Sequence, residues 1–181
     1  AGVRLVEITL TVPDAFELIS ALARDEALAD AGVVIGAGTV LSGTEAEESL
    51  LAGARFLVSP AFIPDMITAA KAHDAMTMPG TMTPTEMVAA ANAGADYIKV
   101  YPLATIGGPG FITHVRRARQ HLPLLATGSV YIDGIPAYLA AGVVVFGIGG
   151  APVRPTPIRR WHRDDPPPNA QRYPPTPRTP S

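Results

Sequence analysis

VVIGAGTVLSGTEAEESLLAGARFLVSP, residues 33–60, holds the reading on which the fold turns. Its two ends, Val33–Gly38 and Arg55–Pro60, are short apolar or β-branched runs of strand length, while residues 45–52 between them space their apolar side chains as a helix does. Ser42-Gly43-Thr44-Glu45 offers an N-terminal cap, and Gly53 stands where a left-handed residue ends a helix. A strand, a helix and a strand within roughly 30 residues make one βα unit, which calls for parallel pairing of the two strands.

The same unit recurs on both sides. Further strand-like runs lie at Arg4–Thr9, Met76–Gly80, Tyr97–Pro102, Leu124–Gly128 and Val143–Gly149. Helical spacing marks Asp14–Ala23, Asp65–Ala72, Pro84–Asn92, Gly110–Gln120 and Gly134–Ala140. Thr83-Pro84-Thr85-Glu86 reads as a capping box with proline at the first helical position, and Gly32, Gly94 and Gly142 join Gly53 as helix-ending glycines. About seven nearly all-apolar strands suit a sheet covered on both faces, and a closed (β/α)8 TIM barrel is the natural arrangement. The expected barrel is incomplete, with its first strand before Ala1 and its last helix missing after Gly150. An open doubly wound sheet is the competing architecture.

Composition divides the chain at Ala151. Residues 1–151 hold 8 Lys+Arg and 14 Asp+Glu, net −6, and are expected to form one barrel domain. Residues 152–181 hold 6 and 2, net +4, in a Pro/Arg-rich text that suits disorder or polyproline II. That tail reads as a non-native end or as a ligand for a proline-binding module. The overall net charge of −2 offers no electrostatic reason to expect nucleic acid or an anionic membrane as partner. No apolar run approaches the roughly 18 residues of a membrane span. The absence of cysteine excludes disulfides, thiolate metal sites and cysteine nucleophiles.

Barrel enzymes place reacting groups at the carboxyl ends of their strands. Lys99 is the sharpest candidate, because Lys71 and Lys99 are the only lysines and Lys99 sits within the apolar run Tyr97-Ile98-Lys99-Val100-Tyr101. Burial there favours the neutral amine and lowers its pKa from about 10.4, which supplies the nucleophile that Schiff-base chemistry needs. A lysine that snorkels to solvent or pairs with a carboxylate is the plain alternative. Glu7, inside Leu5-Val6-Glu7-Ile8, is either that ion-pair partner or an acid/base group with a pKa raised by burial and tuned by Lys99. Thr127-Gly128-Ser129 and Gly147-Ile148-Gly149-Gly150 close two strands where barrels offer backbone N–H groups to phosphate, though tight turns need the same glycines. His73, His114 and His121 lack metal-ligand spacing and read as surface residues.

Taken in order, these motifs resemble the 2-keto-3-deoxy-6-phosphogluconate and 4-hydroxy-2-oxoglutarate (KDPG/KHG) aldolase family. The matching text is Glu7-Ile8-Thr9-Leu10-Thr11-Val12-Pro13-Asp14, Gly36-Ala37-Gly38-Thr39-Val40, Val58-Ser59-Pro60, Met78-Pro79-Gly80, Met82-Thr83-Pro84-Thr85-Glu86, Lys99-Val100-Tyr101-Pro102 and Thr127-Gly128. The resemblance implies a cytoplasmic class I aldolase, a homotrimer, acting on a keto acid, phosphorylated in the main case, with neither metal nor diffusible cofactor. It makes Lys99 the Schiff-base lysine and Glu7 the general acid/base, with Thr39 on the substrate carboxylate. Pro79, Thr127, Gly128, Ser129, Gly149 and Gly150 complete the implied substrate rim. Ser129 replaces the second glycine of the usual TGG, Gly150 replaces a serine, and Thr11 stands where other members carry a carboxylate-binding arginine. A catalytically impaired remnant of the family and another phosphate-binding barrel enzyme are the competing readings.

Overall fold

The computed structural model describes residues 4–118, 121–128 and 130–149, so the proline-rich segment lies outside the described residues. The elements run β1 (Leu5–Thr9), α1 (Ala15–Ala23), α2 (Glu26–Asp30), β2 (Val34–Gly38), α3 (Gly43–Leu51), β3 (Phe56–Val58), α4 (Pro64–Ala72), β4 (Met76–Met78) and β5 (Gly80–Thr81). They continue through α5 (Pro84–Ala93), β6 (Ile98–Val100), α6 (Gly108–Ala118), β7 (Leu124–Ala126), α7 (Ile135–Ala141) and β8 (Val145–Phe146). All seven expected strand regions carry strands. One of them is split into β4 and β5, because Pro79 has no N–H to offer the ladder.

Local chemistry explains the helix ends. Thr83 and Glu86 form a complete capping box at α5: Glu86 N–H donates to Thr83 Oγ1, and Thr83 N–H donates to the Glu86 carboxylate. The cap of α3 differs from expectation. Ser42 Oγ accepts from Glu45 N–H, but the Glu45 carboxylate accepts from Leu41 N–H, one residue further back. Gly94 and Gly142 take left-handed φ of 88° and 99° at the ends of α5 and α7. Helix α2 was not anticipated; its five residues fall below the length at which periodicity can speak, and the Asp25 side chain caps it by accepting from Leu28 N–H.

Every strand pairing is parallel, in the order β1-β2-β3-β4 and β5-β6-β7-β8. Alternation along the strands then sorts the side chains. Val6, Ile8, Ile35, Ala37 and Leu57 pack outward against Ile19, Leu50 and Met66 of α1, α3 and α4. Ile98, Val100, Leu124, Ala126 and Phe146 pack outward against Met87, Ile112 and Tyr138 of α5, α6 and α7. The opposite parity gives a third cluster of Val34, Phe56, Val58, Met78, Leu125 and Val145, to which no helix contributes among the described residues. Both sheets supply it, so the wall must curve until its inner faces meet. That is a barrel interior, whereas a doubly wound sheet would have helices against both faces.

Among the described residues the outer edges of β1 and β8 are unpaired. Between them lies a cleft of about 300 Å³ whose walls include Val6 and Glu7 on one side and Val145 and Gly147 on the other. Among the described residues the barrel is open along that side.

Candidate functional site

Outward packing of Ile98 and Val100 forces Lys99, the residue between them, to the inner face. The residue is 8% exposed. Its backbone is held from two sides, with Lys99 N–H donating to the Pro79 carbonyl at 3.0 Å and Thr81 Oγ1 donating to the Lys99 carbonyl at 3.0 Å. Lys99 Nζ lies 5.0 Å from the centroid of the Tyr101 ring. Burial lowers the pKa of the amine from the ordinary lysine value, and the negative charge of Glu7 partly offsets that push.

The same parity turns Glu7 inward from β1, where its backbone partner is Gly36. The residue retains exposure because β1 is unpaired on its outer side, but the carboxyl end packs over Gly38: a Cβ at that position would overlap Glu7 Oε1. Desolvation of the carboxyl raises the Glu7 pKa, and the positive charge of Lys99 pulls it back. No ion pair at contact distance forms between Glu7 and Lys99 among the described residues, so the simple ion-pair reading of the two does not describe them. Each charge is instead destabilised by burial and supported at longer range by the other. The pair combines an amine shifted toward its nucleophilic neutral form with a carboxyl able to exchange a proton nearer neutrality.

Of the remaining predicted residues, Thr39, Pro79, Thr127 and Gly128 stand at the carboxyl ends of strands. Pro79 is buried beside Lys99, on the strand break. Thr39 is half-buried directly after β2, with φ of 60°, unusual for a β-branched residue. Thr127 follows β7 and lies close to Gly147, where a Cβ would stand 3.1 Å from Thr127 Oγ1. Gly128, at φ 81°, adjoins the Tyr101 ring. Gly149 is exposed with open space about it and stands apart from these contacts. Ser129 and Gly150 lie outside the described residues. His73 pairs with Glu47 at 2.8 Å, and His114 is 2.8 Å from the Gly110 carbonyl oxygen; both are exposed and away from the barrel interior. Among the described residues no group of three His, Asp or Glu could hold a metal ion.

Two contributors stand in the quoted motifs with no role assigned to them from sequence. Gly38 supplies space, a role without a chemical signature, and Tyr101 was read only as part of a motif. The parity of β6, which puts residues 97, 99 and 101 on one face, is the signal that could have found Tyr101.

The family model described as KDPG and KHG aldolase matches residues 1–162. A protein of Rhizobium meliloti (strain 1021), named a probable 2-dehydro-3-deoxy-6-phosphogalactonate aldolase, is 39% identical over 155 residues, covering 85% of this chain and 71% of that protein. Among solved structures, a native KDPGal structure matches with a TM-score of 0.78 at 28% identity, covering 84% of this chain and 73% of the other. The KDPG aldolase of Legionella pneumophila, solved with pyruvate captured as a covalent carbinolamine intermediate, matches with a TM-score of 0.72 at 25% identity, covering 81% and 69%. The extent of the family match, together with a barrel whose inner face carries Lys99 and Glu7, places this chain in the KDPG and KHG aldolase family.

Proposed function

We propose that the chain is a class I aldolase that cleaves a phosphorylated 2-keto-3-deoxy sugar acid into pyruvate and glyceraldehyde 3-phosphate, with 4-hydroxy-2-oxoglutarate, split into pyruvate and glyoxylate, as a smaller substrate of the same chemistry. The observation that carries this reading is the buried Lys99 amine on the inner face, electrostatically coupled to Glu7. The neutral amine adds to the C2 carbonyl, and loss of water leaves a protonated imine. Glu7, through a water molecule, takes the proton of the C4 hydroxyl. The C3–C4 electrons flow into the imine, the aldehyde leaves, and pyruvate remains as an enamine. Protonation at C3 and hydrolysis return pyruvate and the free amine.

In this proposal Thr39 holds the substrate carboxylate, while Thr127 and Gly128, with Ser129, Gly149 and Gly150, form the rim for the phosphate. Pro79 shapes the wall beside the imine. Homotrimeric assembly belongs to the same proposal and is read by light scattering after gel filtration. The test of the chemistry is incubation with pyruvate, reduction by borohydride and location of the adduct by mass spectrometry. An adduct on Lys99, absent in Lys99→Ala, is expected; a soluble, folded chain that traps nothing would sink the proposal. The open side between β1 and β8 beside Glu7 favours a second reading, in which the adduct forms but turnover is impaired. Single-turnover trapping alongside steady-state cleavage separates the two.

A further inference from the structure

We propose that Tyr101 is a positioning residue for the Lys99 nitrogen, its ring face holding the cationic forms of that nitrogen at the barrel mouth. For the ammonium this follows from geometry; for the iminium it rests on the Schiff-base function proposed above. Residues 99 and 101 are two apart at the end of β6 and share the inner parity. The ring centroid is 5.0 Å from Nζ, within the reach of a cation–π contact. Among the described residues Nζ has no hydrogen-bond acceptor and no ion pair at contact distance, so the ring is the close partner of the charge.

The ring is itself held in place. Tyr101 N–H donates to the Thr81 carbonyl at 3.0 Å, fixing the base of the side chain on β5. Gly128 adjoins the ring, and a Cβ there would come within 3.1 Å of a ring carbon. A side chain at 128 would therefore press on the ring. Glu7 on β1 is the charged group coupled to Lys99 from across the interior, and both it and the ring favour the cation against the burial that opposes it. The arrangement links the reacting nitrogen to the Thr127–Gly128 turn through one aromatic plane.

The two lysines make this measurable. Lys71 is exposed, its ammonium donating to the Ala93 carbonyl, and serves as an internal reference. Acetic anhydride labelling across a pH series, read by mass spectrometry, gives the pKa of each amine without any need for turnover. Tyr101→Leu is expected to lower the Lys99 value by about half a unit to one unit, the scale of a cation–π contact, and leave Lys71 unmoved. Tyr101→Phe, which keeps the ring, should restore the Lys99 value. Stepwise fluorination of a phenylalanine at 101 keeps the shape while draining the ring face, so a graded fall is expected there even if the leucine variant does not fold. A flat fluorination series, or a Phe variant shifted as far as Leu, would overturn the proposal. Pyruvate trapping in the same variants should fall in the same order. No trapping in the unsubstituted chain, with the graded labelling shift intact, would remove the Schiff-base reading and still support the ring's hold on the ammonium.

Discussion

At the scale of single residues, the site is built from groups that the fold holds against their solvation preference. Lys99 has its pKa lowered by burial, so the folded state resists a proton that the unfolded chain accepts freely below 10.5. Its charge therefore opposes folding at neutral pH, and the opposition fades as pH rises from the folded value toward 10.5. Lys99→Met is expected to raise unfolding free energy at neutral pH by about 0.5–2 kcal/mol, in line with relief of a site shaped for function. Urea denaturation at several pH values should show that gain shrinking toward pH 10.5. Gly38→Ala tests the other half of the pair. Its methyl would occupy the place of the Glu7 carboxylate, and a displacement of this kind can cost about 100-fold in turnover. The expected result is a large loss of kcat with an unchanged circular dichroism spectrum; full activity would show that Glu7 needs no fixed position.

At the scale of elements, the helices are set by short-range chemistry and should respond to it independently of the site. Thr83 satisfies one of the free N–H groups at the start of α5, and Glu86 answers with its carboxylate on the backbone N–H groups of Met82 and Thr83. Thr83→Ala should cost about 1 kcal/mol in equilibrium unfolding while leaving pyruvate trapping on Lys99 intact. Those hydrogen bonds lower the Glu86 pKa below 4.5. Glu86 thus contributes stability above that ordinary value and loses it as pH falls through the depressed one, so a Glu86→Gln variant should differ from its parent at pH 7 and converge with it in acid. Strand β4–β5 shows where a local rule had a wider effect: Pro79 divides the ladder, yet its carbonyl still accepts from Lys99 N–H and places the break beside the reacting side chain.

At the scale of the molecule, the two halves of the wall share one interior but end in unpaired edges at β1 and β8 among the described residues. Leu5 on β1, beside the cleft, is 44% exposed and Val144, just before β8, is 54% exposed, a combination that invites pairing between copies. Leu5→Lys should lower concentration-dependent self-association, followed by light scattering, because a lysine on an open edge repels a second copy. An unchanged profile would place the contact elsewhere. Strand and helix order, the capping box at Thr83 and the unusual lysine on an apolar strand were all readable in sequence, because each depends on neighbours within a few positions of the chain. The ordered motifs also carried the family. The barrel was expected from the repeated units, and tertiary structure decided against the open sheet by bringing the inner faces of the two sheets together. It likewise decided that Gly38 makes room for the Glu7 carboxyl, and that Tyr101 lies against Lys99. Those facts depend on curvature and on distances between strands far apart in the chain, and no local pattern of residues encodes them.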